Sequence, residues 1–595
     1  MEFLNFKKKI EISFYSITIF FTFYTYTFYA IISKNYNLLF TFITIFLYII
    51  FYKIYRKSNL KINLTILNWE ILAFFLLLIV GFVLNFQDLK YSLYGDEFAN
   101  ALRTQRTSIY SSFLFLKTVD VPLLKNISFN NVVHLFSFFE LLFFLTISYL
   151  IFKKKNIYTI ILLILITLIF RYFLKDFGMH PPVNHFFSFI LTSLFGFKDY
   201  VFRFSYFLIY LVGNVFLLNQ LNKFFNNKLH NLLIVLFIFT VPISLLSSTN
   251  IDHSIWGNVF LINFLVYFYF NKKLNYEIIV LLISIFSMAR ITNFILILPI
   301  LYSYIAENKN SLNIKKIFFT FFPTIFFLPF ILKLFLLGSN VHSSGFANIY
   351  FQVFQSLKSN LFLKSAFFFI PNYIYFFSFI GFLIFIIKER VFKKILPILL
   401  TFLFYLIIYS SISKNWIGHP KYIFEYIIPF LMFFFIISAK YYNKFLPILL
   451  IILIPIGVYN FTKSSKTIYL NPTEDKKFQI RKRYNFKDAY KAIKKKQLHL
   501  SNLKFGVYYG FVTEILNNYK FNELLIISKR NFKIKNDLNA GYNLKTFFNF
   551  NKEINSIIVD QDDYIFYKHI FSDWSKIQVF YYSDYKNNKL IHLMK

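Results

Sequence analysis

The chain has 595 residues, of which 57% are hydrophobic, 23% aromatic and only 15% charged, with 89 phenylalanines; that balance excludes an ordinary soluble domain. A formal charge of +37 raises the question of nucleic acid, but the lysines fall mostly in short clusters between apolar runs instead of lining a groove, so no nucleic-acid partner is expected. The lack of cysteine excludes disulfides, thiolate metal sites and cysteine nucleophiles.

Apolar runs long enough to cross a ~30 Å hydrocarbon core as helix recur from near Ile12 to about Tyr459. A closed barrel would need short alternating strands instead. The expected fold is therefore an all-α polytopic membrane protein of about 13 to 15 transmembrane helices, followed by a small C-terminal α/β domain. Lys7, Lys8 and Lys9 precede the first run and no small-residue cleavage site follows it, which predicts an uncleaved first helix. Runs near 12–33 and 37–54 make a transmembrane hairpin over 1–68. The main helical domain, 69–460, takes runs near 69–86, 132–152, 157–174, 201–221, 231–248, 254–271, 276–288, 291–305, 316–337, 373–388, 395–410, 422–439 and 445–459.

Lys7 to Lys9, Lys53, Arg56, Lys57, Lys153 to Lys155, Lys223, Lys228, Lys272, Lys273, Lys315, Lys316, Lys388, Arg390, Lys393, Lys394, Lys440 and Lys444 fall on alternate connections. The positive-inside rule puts those connections, and the N-terminus, in the cytoplasm. The segments bearing Asp96 and Glu97, His180, Asp252 and Lys421 then share the opposite face. Counting 276–305 as one span instead of two inverts everything after it. Beyond Phe461 the composition turns polar, and short β-branched or aromatic runs at 504–509, 524–528, 557–559 and 577–582 predict strands of an α/β domain over 461–595, expected outside the cytoplasm. No convincing internal repeat and no glycine-rich phosphate loop is present.

The stretch from Met179 to Ser205, MHPPVNHFFSFILTSLFGFKDYVFRFS, sets a His-Pro-Pro corner before an amphipathic segment and a long apolar run. Pro181 and Pro182 lack backbone donors and clash with a preceding helical turn, so the chain must bend there. This stretch resembles the segment of GT-C-type membrane glycosyltransferases in which His-Pro-Pro opens a surface helix; Phe195-Gly196 and Arg203-Phe204-Ser205 fit the continuation of that pattern. The resemblance, to a superfamily that includes protein O-mannosyltransferases and the lipid A aminoarabinose transferase, covers roughly 70–440. It implies transfer of a hexose or pentose from a polyprenyl-phosphate donor to a glycan, lipid or protein acceptor outside the cytoplasm, in membrane lipid that matches a bacterial inner membrane.

Such chemistry needs a base for the acceptor, cations for the departing phosphate, and a site at the membrane face. By resemblance Asp96 is the base and Glu97 a supporting carboxylate, with Arg103 placed to meet phosphate; the acidic pair also fits a solvated turn capping a helix at Phe98. In most members of the family the acidic pair and His-Pro-Pro share one loop, whereas here an apparent hairpin lies between them. Either that hairpin is an insertion, or Asp176 is the counterpart of the acidic position. His180 and Arg203 are candidates for donor phosphate, with an interfacial histidine and a snorkelling arginine as the alternatives.

Asp252 and His253 resemble an outer-loop pair facing the acceptor or a divalent metal, but no third ligand stands at recognisable spacing, so no metal is assigned. Lys421 and Tyr422 occupy the positions of a late motif in which a basic residue and Tyr enter a Pro-containing span. Lys421 there replaces the commoner Arg. Glu425, one helical turn on, is placed to pair with Lys421, and Arg290 is a further cation for the phosphate. Rival readings are a lipid-linked glycan flippase and an O-antigen polymerase or ligase. The first would show two related halves with broken helices. The second relies on arginines in a large outer loop, and 338–372 contains none.

Overall fold

The computed structural model describes residues 8–13, 61–66, 68–86, scattered helical positions within 134–150, 186–196, 198–249, 253–271, 273–287, 289–309, 313–327, 370–388, 392–411, 423–441, 446–464, 468–470, 477–479, 498–500, 556–566, 572–573, 575–581 and 589–594, with Phe46 and Leu89. These residues are mostly helical. In chain order they form α1 (Asn68–Asn85), α2 (Phe186–Phe195), α3 (Asp199–Phe224), α4 (Lys228–Thr240), α5 (Pro242–Ser248), α6 (Ser254–Phe270) and α7 (Tyr276–Ser287). A 3-10 turn (Ile291–Leu296) leads into α8 (Ile297–Glu307), followed by α9 (Ile314–Phe321), α10 (Asn372–Lys388), α11 (Phe392–Ser411), a π turn (Ile423–Ile427), α12 (Ile428–Tyr441) and α13 (Leu446–Ser464). Among the described residues two helices are long and apolar enough to cross a bilayer, Asp199–Phe224 and Phe424–Tyr441.

Two compact units emerge. Unit 1 comprises 1–85, 144–187 and 206–480, and unit 2 comprises 86–143, 188–205 and 481–595. Unit 2 contains β5 (Leu498–Leu500), β6 (Ser556–Asp560), α14 (Gln561–Phe566), β7 (Ser575–Tyr581) and β8 (Lys589–Met594), with the strands in one sheet of order β5-β6-β8-β7. The expected strands at 557–559 and 577–582 lie in β6 and β7, whereas 504–509 and 524–528 fall outside the described residues. Among the described residues these four strands and a six-residue helix do not establish the α/β domain expected over 461–595.

At the N-terminus the first expected helix, near 12–33, lies outside the described residues from position 14 onward. Residues 8–13 form β1 (Lys8–Ser13), antiparallel to β2 (Lys61–Ile66), with Ile10 opposite Leu64 and Ile12 opposite Ile62. The reason is local: KKIEIS and KINLTI alternate polar and β-branched or apolar residues, a period of two that suits a strand and not a helix. A second two-stranded pairing joins β3 (Ile468–Leu470) to β4 (Lys477–Gln479).

Within unit 1 the pairing of side chains fixes helix direction. Asn263 in α6 donates to Gly213 O in α3 (3.1 Å), and Phe224 stacks on Phe270 at 5.5 Å, so α3 and α6 run parallel. Asn258 donates to Phe424 O (2.6 Å), Tyr269 meets Phe433 at 5.5 Å, and Lys440 Nζ lies 5.1 Å from the Phe270 ring centre, so α6 and α12 also run parallel. Between them run antiparallel partners. Tyr210 donates to Ile238 O while Asn231 donates to Asn222, which orients α4 against α3. Glu70 accepts from Asn219 and Asn222 near the end of α3, while Gly81 packs on Phe207 near its start, which orients α1 the same way. Phe402 packs on Phe430 and Tyr405 on Tyr426, setting α11 antiparallel to α12.

Tyr276, at the start of α7, meets Tyr304, near the end of α8, edge-to-face at 5.2 Å. The chain therefore doubles back between α7 and α8, and the segment 276–305 is a hairpin and not one span. Lys223, Lys228, Lys273 and Lys440 consequently gather at one end of unit 1, where α3, α6 and α12 finish. The end of α1 and the starts of α6 and α12 lie at the other.

Candidate functional site

Three interruptions of helix meet at that second end, and each has a local cause. Pro429 cannot donate to the carbonyl four residues back, that of Glu425, and its ring crowds it, so the turn over 423–427 widens into a π turn. The carbonyl of Phe424, displaced from regular pairing, is taken by the Asn258 side chain (2.6 Å). At the hairpin tip Arg290 is extended (φ −143°, ψ 112°), and the last carbonyls of α7 are met by a cap: Phe286 O accepts from Arg290 N (2.8 Å), Ala289 N (3.1 Å) and Asn293 Nδ2 (3.2 Å). The Asn293 oxygen in turn accepts from Tyr405 OH (3.0 Å). The third interruption is the start of α6, where Gly257 N bonds His253 O (3.3 Å).

At the meeting point lies a buried ion pair. Arg290 Nε donates to Glu425 Oε1 at 2.6 Å, and Thr292 Oγ1 donates to the same oxygen at 2.9 Å. The Glu425 side chain is 0% exposed and that of Arg290 11%. Glu425 Oε2 is buried and has no hydrogen-bond partner among the described residues. Gly257 makes the approach possible, because a Cβ there would fall 2.6 Å from Glu425 Oε1 and 2.8 Å from Cδ. Tyr405 and Tyr426 stack beside it at 5.7 Å and 9°. Low dielectric strengthens the attraction in such a pair, while the cost of dehydrating both charges offsets much of it. A half-satisfied pair is therefore a poor stability device and a candidate for function.

Of the residues expected to carry chemistry, Arg203, His253 and Arg290 are described; Asp96, Glu97, Arg103, Asp176, His180, Asp252, Lys421 and Tyr422 lie outside the described residues. His253 is 7% exposed and stands immediately before α6, one turn ahead of Gly257. Arg203 belongs to unit 2 and is 1% exposed, so a snorkelling arginine at a helix boundary does not describe it. Asp199, buried in the first turn of α3, is four residues ahead of it and on the same helical face. Ser188 and Ser205, hydrogen-bonded at 2.6 Å, tie α2 to the start of α3 in the same unit. The helix α2 begins at Phe186, four residues after Pro182.

Lys421, expected to pair with Glu425, lies outside the described residues. Among the described residues the cation on Glu425 is Arg290, supplied by a helix break 135 residues away, where the π turn carries the carboxylate towards the hairpin tip. Asn258, Thr292, Asn293 and Tyr405 carried no sequence motif; the one available signal was the placing of small polar residues inside apolar runs. Among the described residues no group of three metal-ligating side chains converges. No protein-family model matches this chain, and no curated protein or solved structure matches it.

Proposed function

We propose that this chain is a multi-pass membrane glycosyltransferase of GT-C type that moves a sugar from a polyprenyl-phosphate donor to a glycan, lipid or protein acceptor outside the cytoplasm of a bacterial cell. The observation that carries the reading is the common end of unit 1. The segment bearing Asp96 and Glu97 follows α1, the His-Pro-Pro segment precedes α3, the Asp252-His253 pair precedes α6, and Lys421-Tyr422 precedes the π turn. Within unit 1 the end of α1, the start of α6 and the π turn are at the end opposite Lys223, Lys228, Lys273 and Lys440. That separation of lysine-bearing from polar termini matches the positive-inside expectation. One-sided apolar surfaces support further spans: α1 exposes Leu72, Phe75, Ile79 and Val83, and α13 exposes Ile448, Ile451, Ile452 and Tyr459, as lipid contact requires.

In the proposed reaction Asp96 takes the proton of the acceptor hydroxyl, with Glu97 in support. The acceptor oxygen bonds to the sugar's anomeric carbon as the bond from that carbon to the phosphate oxygen breaks. The leaving polyprenyl phosphate is met by positive charge from Lys421 and from Arg103 or Arg203, with Arg290 as a further cation and His180 and Tyr422 as hydrogen-bond donors. Asp176, Asp252 and His253 are assigned to the acceptor side. The test is Asp96→Asn in full-length protein supplied with lipid-linked sugar: transfer is lost while expression is kept. Retained transfer there, together with loss in Asp176→Asn, moves the base to Asp176.

One observation favours a second reading, a lipid-linked glycan flippase: helix breaks at Val241-Pro242 and Arg290 and a π turn beside a buried charge pair are features of transport proteins. Movement of labelled lipid-linked sugar across a vesicle membrane with its phosphate bond intact would select it.

A further inference from the structure

The Arg290–Glu425 pair is asymmetric in a way that assigns its members different tasks. Glu425 is sealed, with Gly257 against one side, and Oε1 accepts from both Arg290 and Thr292. Arg290 is the partially exposed member, at 11% against 0%. A carboxylate that no solvent reaches, behind a guanidinium that solvent does reach, acts on a ligand through the guanidinium. Its unpartnered second oxygen argues the same way, since a carboxylate evolved only to stabilise packing would have both oxygens satisfied. The depth of the pair fits a headgroup drawn into the protein. α7 has 12 residues, so the tip stands ~18 Å from the lysine-bearing end, short of a ~30 Å hydrocarbon core.

We infer that Glu425 is a positioning residue: it holds the Arg290 guanidinium at the hairpin tip, aimed at a phosphate anion, with Thr292 and Gly257 fixing the carboxylate in turn. The inference rests on the functional reading above for the identity of the anion, a phosphate carried on a polyprenyl chain. Fixing Arg290 in advance removes the side-chain ordering that a flexible arginine would undergo on binding. Because Glu425 works through Arg290, its loss matters only while Arg290 is present.

The test is a double-mutant cycle on the full-length chain in lipid nanodiscs, with binding of undecaprenyl phosphate and, separately, of inorganic phosphate as the readout. Arg290→Ala and Glu425→Gln each weaken undecaprenyl phosphate binding about tenfold or more, and the double variant is no weaker than Arg290→Ala alone. Glu425→Asp and Thr292→Val give smaller losses of the same non-additive kind, which keeps the test open if Glu425→Gln does not fold. Equal losses from Glu425→Gln with and without Arg290 overturn the inference, as does unchanged binding in Arg290→Ala. Non-additive loss for inorganic phosphate alone keeps the positioning role but assigns the site to a free anion. Non-additive loss of undecaprenyl phosphate binding in a chain that transfers no sugar keeps the inference and removes the transferase reading.

Discussion

Gly257→Ala tests the site without altering a charged residue. In the interior of a helix alanine is favoured over glycine by about 1 kcal/mol, so in open surroundings the substitution would stabilise α6. At this position the new Cβ would fall 2.5 Å from Glu425 Cγ, 2.6 Å from Oε1 and 2.8 Å from Cδ, where ordinary contact is about 3.5–4.0 Å. Glu425 has to retreat by about 1 Å, and Oε1 then leaves the reach of Arg290 Nε and Thr292 Oγ1, now at 2.6 and 2.9 Å. Overpacking costs about 1–3 kcal/mol and a weakened bond to a charged group about 1.5–3 kcal/mol. Set against the helix gain, the net expectation is a loss of about 1.5–5 kcal/mol. The sign of the change is therefore diagnostic. The assay is reversible unfolding of purified full-length protein in mixed micelles, run on Gly257→Ala alone and in a Glu425→Ala background, where the clash is relieved and alanine is neutral or stabilising. Equal or greater stability in the single variant, or the same loss in both backgrounds, refutes the packing of Glu425 against α6.

Gly381→Ala separates α10 from α12: the added Cβ would collide with Phe434 O and lie 2.6 Å from Phe434 C, both backbone atoms, and the Ser378 bond to Leu431 O (2.8 Å) would be lost, so unfolding at lower denaturant is expected. Asn263→Leu removes donors to Gly213 O and Val259 O and the acceptor for Gln220; a loss of about 0.6–1.7 kcal/mol, the range of buried polar contacts between membrane helices, is expected in the same assay. Because the chain has no cysteine, single Cys variants report sidedness cleanly. Lys198→Cys and Lys228→Cys flank α3 and are exposed; in intact cells an impermeant maleimide labels the first and reaches the second only after permeabilisation. Labelling of both, or of Lys228→Cys alone, would reject the proposed orientation.

The positions of α1, α3, α4, α6 to α8 and α10 to α13 were legible in the sequence because an apolar run in hydrocarbon satisfies its own backbone and needs no distant partner. The breaks at Pro242 and before Pro429 were not read from the sequence, where 231–248 and 422–439 each stood as one span; the structure shows both. The hairpin at Arg290 was ambiguous, since length alone does not separate two short helices from one interrupted span; the Tyr276–Tyr304 contact resolves it. The strand at 8–13 was missed because three lysines before a hydrophobic stretch read as a helix start, while its pairing partner stands at 61–66.

Composition and periodicity by themselves determined that this is a helical, apolar chain whose lysines mark alternate helix ends. Only the tertiary structure decided which polar groups meet. Arg290 and Glu425 are 135 residues apart, and nothing in either neighbourhood names the other. Their pairing depends on helix direction, on a π turn and on a glycine small enough to let a carboxylate approach, all of them long-range consequences of packing.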